Sequence, residues 1–194
     1  VLLGLALVTS TAACSDEPVE YFTPSPATDT TVTPGELVED EPEVFERPDP
    51  RMVAQPVQPS AANELSEDGA RAFAYYFLEV LNYTAATGNT ELLQSISGPE
   101  CDYCAVTLEN SREIHDAGQW IEGYFIEFVD KPEVQENLGT AFGMTAEVKA
   151  QEHSIYATEG MHSVQPGYQL PATLIVYRLG NFWLVEDFGR SNSE

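Results

Sequence analysis

Two cysteines three positions apart, Cys101 and Cys104, are the residues whose type and spacing could most directly do chemistry. Such a pair can be a disulfide, a dithiol redox centre or half of a metal site. The chain opens on uninterrupted apolar or glycine residues from Val1 to Val8, followed by small residues from Thr9 to Ala13. An apolar run leading into a small-residue cleavage zone is the grammar of a secretory signal, and cysteines of exported proteins are normally oxidised. Placed on the first turn of a helix, positions 101 and 104 fall within disulfide reach. A structural staple is therefore the favoured reading. The redox reading stays open, because a helix N-terminus lowers a thiol pKa. Against it, the segment before Cys101 reads as a helix where a thioredoxin-like unit would place a strand. His115, His153 and His162 show no ligand spacing to the pair, so neither a metal nor a cofactor is expected.

The other candidates are titratable side chains without a motif. Glu186 and Asp187 are adjacent in a strand-like run, so one of them faces inward if the strand is regular. Asp130 and His153 are further acid/base candidates. The sequence has no Gly-rich phosphate loop, no His-Glu-x-x-His and no Gly-x-Ser-x-Gly, which removes the most recognisable nucleotide, zinc-protease and serine-hydrolase chemistries.

The elements that must position these residues fall into two blocks. Ser66 followed by Glu67 and Asp68 reads as an N-cap with acids in the first turn. Phe73, Phe77, Val80 and Leu81 then recur at helical spacing, predicting a helix to about Thr87. Thr90 to Ser97 predicts a second, short helix, and Pro99 suits the start of a third that runs to about Ala117. Beyond Gly118 the pattern changes to strands: Trp120 to Val129, Met144 to Gln151, and two apolar runs between Leu170 and Phe188 joined at Gly180-Asn181. Thr145, Glu147, Lys149 and Gln151 alternate with apolar residues, which fits an antiparallel sheet packed on one face. Helices followed by strands predict an α+β domain over 66–190, with 191–194 as a tail.

Residues 15 to 65 differ in kind. They hold nine of the 13 prolines and many Thr, Ser, Asp and Glu, a composition that cannot bury enough apolar surface to offset chain-ordering entropy. A disordered tether over 14–65 is expected. The formal net charge is −24, of which −10 lies in 15–65 and −14 in 66–194. That balance disfavours nucleic acid and anionic lipid headgroups as partners.

Residues 1–13, with Thr11-Ala12-Ala13-Cys14-Ser15 at the junction, resemble a bacterial lipoprotein signal. The resemblance implies that Cys14 receives a diacylglyceryl thioether, becomes the mature N-terminus and holds the protein at the extracytoplasmic face of the cell membrane. Thr11 stands where such signals most often carry Leu, and no basic residue precedes the apolar run, as if the start were truncated. An ordinary secretory signal cleaved near Ala13 is the alternative. Leu81-Asn82-Tyr83, Thr87-Gly88-Asn89-Thr90 and Ser97-Gly98-Pro99-Glu100-Cys101-Asp102-Tyr103-Cys104 together resemble an actinobacterial lipoprotein family of unknown function. The closing run from Ala172 to Phe188 is similar to the end of many nuclear transport factor 2-like domains. This implies a cone, a curved antiparallel sheet wrapped around the first helix, over about residues 62 to 190. Some enzymes of that fold use a carboxylate base inside the cone, and others of its members are non-catalytic. The expected function is a membrane-anchored, non-catalytic binding module for an envelope protein, a cell-wall component or a small ligand, with homodimerisation through exposed strands as a fold-level analogy. A thiol oxidoreductase or a carboxylate-base isomerase is the competing class.

Overall fold

The computed structural model describes residues 44–191. The expected signal peptide, Cys14, the tether as far as residue 43 and residues 192–194 lie outside the described residues. Helix α1 (Glu67–Thr87) begins where Ser66 accepts a hydrogen bond from the Gly69 N–H at 3.1 Å, and ends at Gly88 in the left-handed region. Its inward stripe of Phe73, Phe77, Val80 and Leu81 is fully buried. Helix α2 (Glu91–Ile96) follows directly. Helix α3 (Asp102–Asp116) starts three residues later than Pro99, because Cys101 is its N-cap and Gly98 to Cys101 form a turn instead. Among the described residues no helix is long and apolar enough to cross a membrane.

Eight strands follow: β1 (Trp120–Glu122), β2 (Ile126–Phe128), β3 (Glu133–Asn137), β4 (Ala141–Ala150), β5 (His153–Ala157), β6 (Gly160–Gln165), β7 (Tyr168–Leu179) and β8 (Phe182–Arg190). The larger, curved sheet runs β2-β4-β7-β8 with β3 also on β4, and the smaller runs β1-β5-β6. Every pairing between these strands is antiparallel. The three helices pack on the larger sheet, so the domain is α+β as expected. The 120–129 run is two strands, not one. Gly123, at φ +84°, turns the chain out of the small sheet and into the large one.

The packed face of the large sheet closes on α1. Phe142, Met144, Val148, Leu174, Val176, Trp183, Val185 and Phe188 are buried there. Trp183 stacks on Phe73 and meets Phe142 edge-on, and Phe188 meets Phe77 edge-on. Aromatic packing fills this core, and Tyr76 is buried with it.

Described structure also lies upstream of residue 66. Residues 60–63 form a single 3-10 turn that buries Ala62 completely and presents its carbonyl to the core. The Trp183 indole N–H donates to that carbonyl at 2.6 Å, and Arg178 donates to it at 3.3 Å while lying over the same indole. Further upstream Phe45 stacks on Tyr156, and Arg47 donates to the Thr87 carbonyl. Proline-rich composition predicts a disordered segment. It cannot show that one small residue delivers a carbonyl to a buried indole.

Candidate functional site

A cleft of about 480 Å³ opens beside the filled core. Its floor comes from one face of α1, where Leu81, Thr84 and Ala85 share a stripe at helical spacing. One wall is α3, through residues such as Tyr103, Thr107, Ser111 and Ile114 at successive turns. The opposite wall comes from the small sheet and its connections: Ile121, Tyr124, His153 and Ile155, with Tyr168 at the start of β7. His153 and Ile155 alternate along β5, so both face the cleft. The loop turned by Gly123 is what carries Tyr124 into it.

Three phenols meet here. Burial raises the pKa of Tyr103 well above the usual phenol range, and Tyr124 beside it adds to the effect. Tyr124 is pushed up to about 12 by burial and then by Tyr168. Tyr168 is pushed up to about 12 by burial and then by Tyr103. All three therefore stay neutral across the physiological range. Thr84 is fully buried, and its Oγ1 has no hydrogen-bond partner. The Ser111 hydroxyl reaches the Thr84 carbonyl at 3.4 Å. Among the described residues no Lys or Arg lines the cleft, and Glu113 is its one carboxylate.

Of the acid/base candidates only His153 lines this cleft. Its ring stands edge-on to Tyr124 with centroids 5.0 Å apart. Its Nδ1 is 3.2 Å from the Gln151 carbonyl, which can only accept, so Nδ1 carries a proton. Asp130 sits elsewhere, in a shallow depression with Glu133 and Glu147, where its carboxylate accepts the Glu147 N–H at 2.8 Å. It serves a backbone donor. The expectation for the Glu186-Asp187 pair fails on regularity. Val176 pairs with Val185 and Ile175 with Asp187, so a bulge falls at Glu186. The bulge makes Phe188 the next inward residue, leaves Asp187 exposed and sets Glu186 beside Gly98. Neither acid enters the core. The site residues that sequence reasoning passed over are Thr84, Ser111 and the three tyrosines. Tyr103 lies between the two cysteines, but nothing in the sequence pairs it with Tyr124 and Tyr168, which arrive from other elements.

The sulfurs of Cys101 and Cys104 lie at bonding distance, 2.06 Å, with Cα atoms 5.2 Å apart. Cys101 is 3% exposed and Cys104 is fully buried. The Cys104 N–H donates to Cys101 Sγ at 3.2 Å, so the pair also caps α3. A thiol-exchange centre needs a sulfur that a partner thiolate can reach, and this one is covered. Replacing both cysteines with Ser should lower stability by about 2 kcal/mol, the chain-entropy value for so short a loop. Alkylation after a mild reductant should label neither sulfur in the folded protein and both in denaturant. Rapid labelling of the folded protein would instead show an exchangeable pair.

A family model described as a family of unknown function, DUF6318, matches residues 48–186. No curated protein matches the sequence. Among solved structures, the intermembrane space region of chloroplast protein ARC6 matches with a TM-score of 0.49 at 10% identity, over 67% of this chain and 99% of that one. A protein designated Rd1NTF2_05 matches with a TM-score of 0.38 at 13% identity, over 65% and 100% of the two chains. An uncharacterized protein with a cystatin-like fold from Caulobacter vibrioides matches with a TM-score of 0.39 at 12% identity, over 62% and 84%.

Proposed function

This chain belongs to the DUF6318 family of unknown function, and we propose that it is a lipid-anchored extracytoplasmic module that binds a small ligand at the cell envelope. The observation that carries the binding role is the cleft. About 480 Å³ of space is lined by apolar and aromatic side chains together with converging hydroxyls, the amides of Asn110 and Gln165, one carboxylate and one imidazole. Small-molecule sites have this size and this makeup. The anchor rests on the sequence around Cys14, where multiple acyl chains would hold the protein stably and a single chain only marginally. Envelope proteins, cell-wall components and a second copy of the chain remain partners for the outer surface.

The carboxylate-base alternative loses support. The packed face of the sheet is filled by Phe73, Tyr76, Phe77 and Trp183, and the candidate acids lie outside the cleft. Both halves of the proposal can be tested in the native host. Cys14→Ser should release the protein into the medium, whereas unchanged membrane retention would refute the anchor. Protein extracted gently from the membrane should show, by native mass spectrometry, a bound small molecule that Ser111→Trp loses. Equal ligand content in wild type and the variant would refute the cleft as the binding site.

A further inference from the structure

The chemistry of the cleft narrows what it can hold, on the reading that it is a binding site. An anionic ligand would give up its water and find no Lys or Arg in return among the described residues, and an unpaired buried charge is strongly unfavourable. A cation would find only Glu113, which is exposed, and phenols that burial keeps neutral. Among the described residues Glu113, at the exposed edge, is the one acidic or basic side chain (Asp, Glu, Lys or Arg) of the cleft, in a chain of net charge −24. Its hydrogen-bonding groups are mostly hydroxyls, on α1, α3 and the tyrosines, joined by the amides of Asn110 and Gln165 and the His153 ring. On the small sheet Ile121 and Ile155 form an apolar strip next to the polar His153 and Gln165, and the hydroxyl-bearing rim of a sugar would meet hydrocarbon along that strip. At the floor, Thr84 Oγ1 is an orphan hydroxyl. A buried hydroxyl without a partner is destabilising, and a ligand atom reaching it would recover part of that cost.

We infer that the cleft binds an uncharged amphiphile. Its apolar ring or chain lies on Ile121 and Ile155, and its hydroxyl or carbonyl head is held by the phenols of Tyr103, Tyr124 and Tyr168 and by Thr84. Such a molecule could be a neutral membrane lipid or a free phenol or quinone. The two sources share this chemistry, and the competition below separates them.

The test uses the full chain with Cys14→Ser, which removes any acyl anchor, and Nile red as a neutral fluorescent probe. Saturable binding of one probe per chain is expected. At neutral pH, 1-decanol should displace it, while decanoate and decylammonium should do so at least tenfold less well, and maltose not at all. Monoacylglycerol outcompeting a naphthoquinone would point to a membrane lipid, and the reverse to a free ring compound; either supports the inference. Thr84→Val keeps the shape and removes the orphan hydroxyl. It should leave the free protein as stable as wild type or more so, yet weaken decanol roughly three- to tenfold, the range of one net hydrogen bond. Tyr124→Phe should weaken decanol similarly. Displacement by decanoate as effective as by decanol, or saturable maltose binding, each blocked by Ser111→Trp, would overturn the ligand class and leave the binding site standing. No saturable binding of any probe, together with no small molecule retained from the membrane, would overturn both.

Discussion

Trp183→Ala should be the most damaging single substitution in the domain, lowering unfolding free energy by about 3–5 kcal/mol. Trp183 is 1% exposed and lies between Phe73 and Phe142, so truncation leaves a cavity that its rigid neighbours can only partly close. It also removes the N–H that holds the Ala62 carbonyl at 2.6 Å, leaving Arg178 at 3.3 Å as that carbonyl's remaining partner. A domain of this size has roughly 5–15 kcal/mol in total, so the variant should sit near its folding threshold. Two readouts separate the contributions. The denaturant midpoint reports the whole loss. Limited proteolysis between residues 44 and 65 reports the release of the N-terminal segment from the core. Trp183→Phe keeps most of the packing and deletes only the N–H, so it should cost less overall yet still speed cleavage in that segment. If cleavage there is equally fast in wild type, residues 44–65 are not part of the folded unit and the boundary belongs at 66.

The same contact marks where the sequence could and could not be read. Helix α1 was legible from end to end because three independent signals agree there: a Ser cap, an apolar stripe at helical spacing and a glycine at the close. The β7–β8 hairpin was legible for a similar reason, with two apolar runs meeting at Gly180-Asn181. Strands β3 and β6 were not legible. Glu133–Asn137 has only Val134 partly buried, and in Gly160–Gln165 Met161 and Val164 are both exposed. Their ladder bonds to β4 and β5 hold them in place, and hydrophobic patterning does not report such bonds. The cleft is less legible still. Its orphan hydroxyl and its tyrosines come from α1, α3, the β1–β2 connection and β7, and no local pattern joins them. The four residues singled out for their titratable groups were visible only as residue types. Three of them proved to serve a backbone donor or to lie outside the cleft. The bulge at Glu186 explains why face-counting along β8 failed there, since one extra residue flips every side chain beyond it.

Gly88→Val should have the next largest effect, about 3 kcal/mol, and the loss should divide into two separable parts. Gly88 closes α1 at φ +73°, with its N–H bonded to the Thr84 carbonyl at 2.9 Å. A branched residue held in the left-handed region costs about 1–2 kcal/mol in backbone strain alone. The remainder comes from His115, whose ring lies where a Cβ on residue 88 would be. His115 Nε2 faces the Ala85 carbonyl at 3.3 Å, which can only accept, so Nε2 carries the proton and Nδ1 accepts from Arg47. Moving the ring breaks both contacts, joining the ends of α1 and α3 less firmly and leaving Arg47 with only its bond to the Thr87 carbonyl. A double-mutant cycle should resolve the two parts. In a His115→Ala background, Gly88→Val should cost only the backbone share. An undiminished cost there would show that the ring contributes nothing.

Acidity provides a second measure of the same corner. Burial, and then the Arg47 guanidinium, hold the His115 pKa below 6.5. The unfolded chain therefore takes up this proton before the folded one does. Stability at this site is complete above about pH 6.5 and declines as pH falls through the window between the unfolded and folded values. The decline should disappear in His115→Ala. It should also shrink in Gly88→Val, because a displaced ring regains water and moves away from Arg47, which brings its folded pKa back toward that of the unfolded chain.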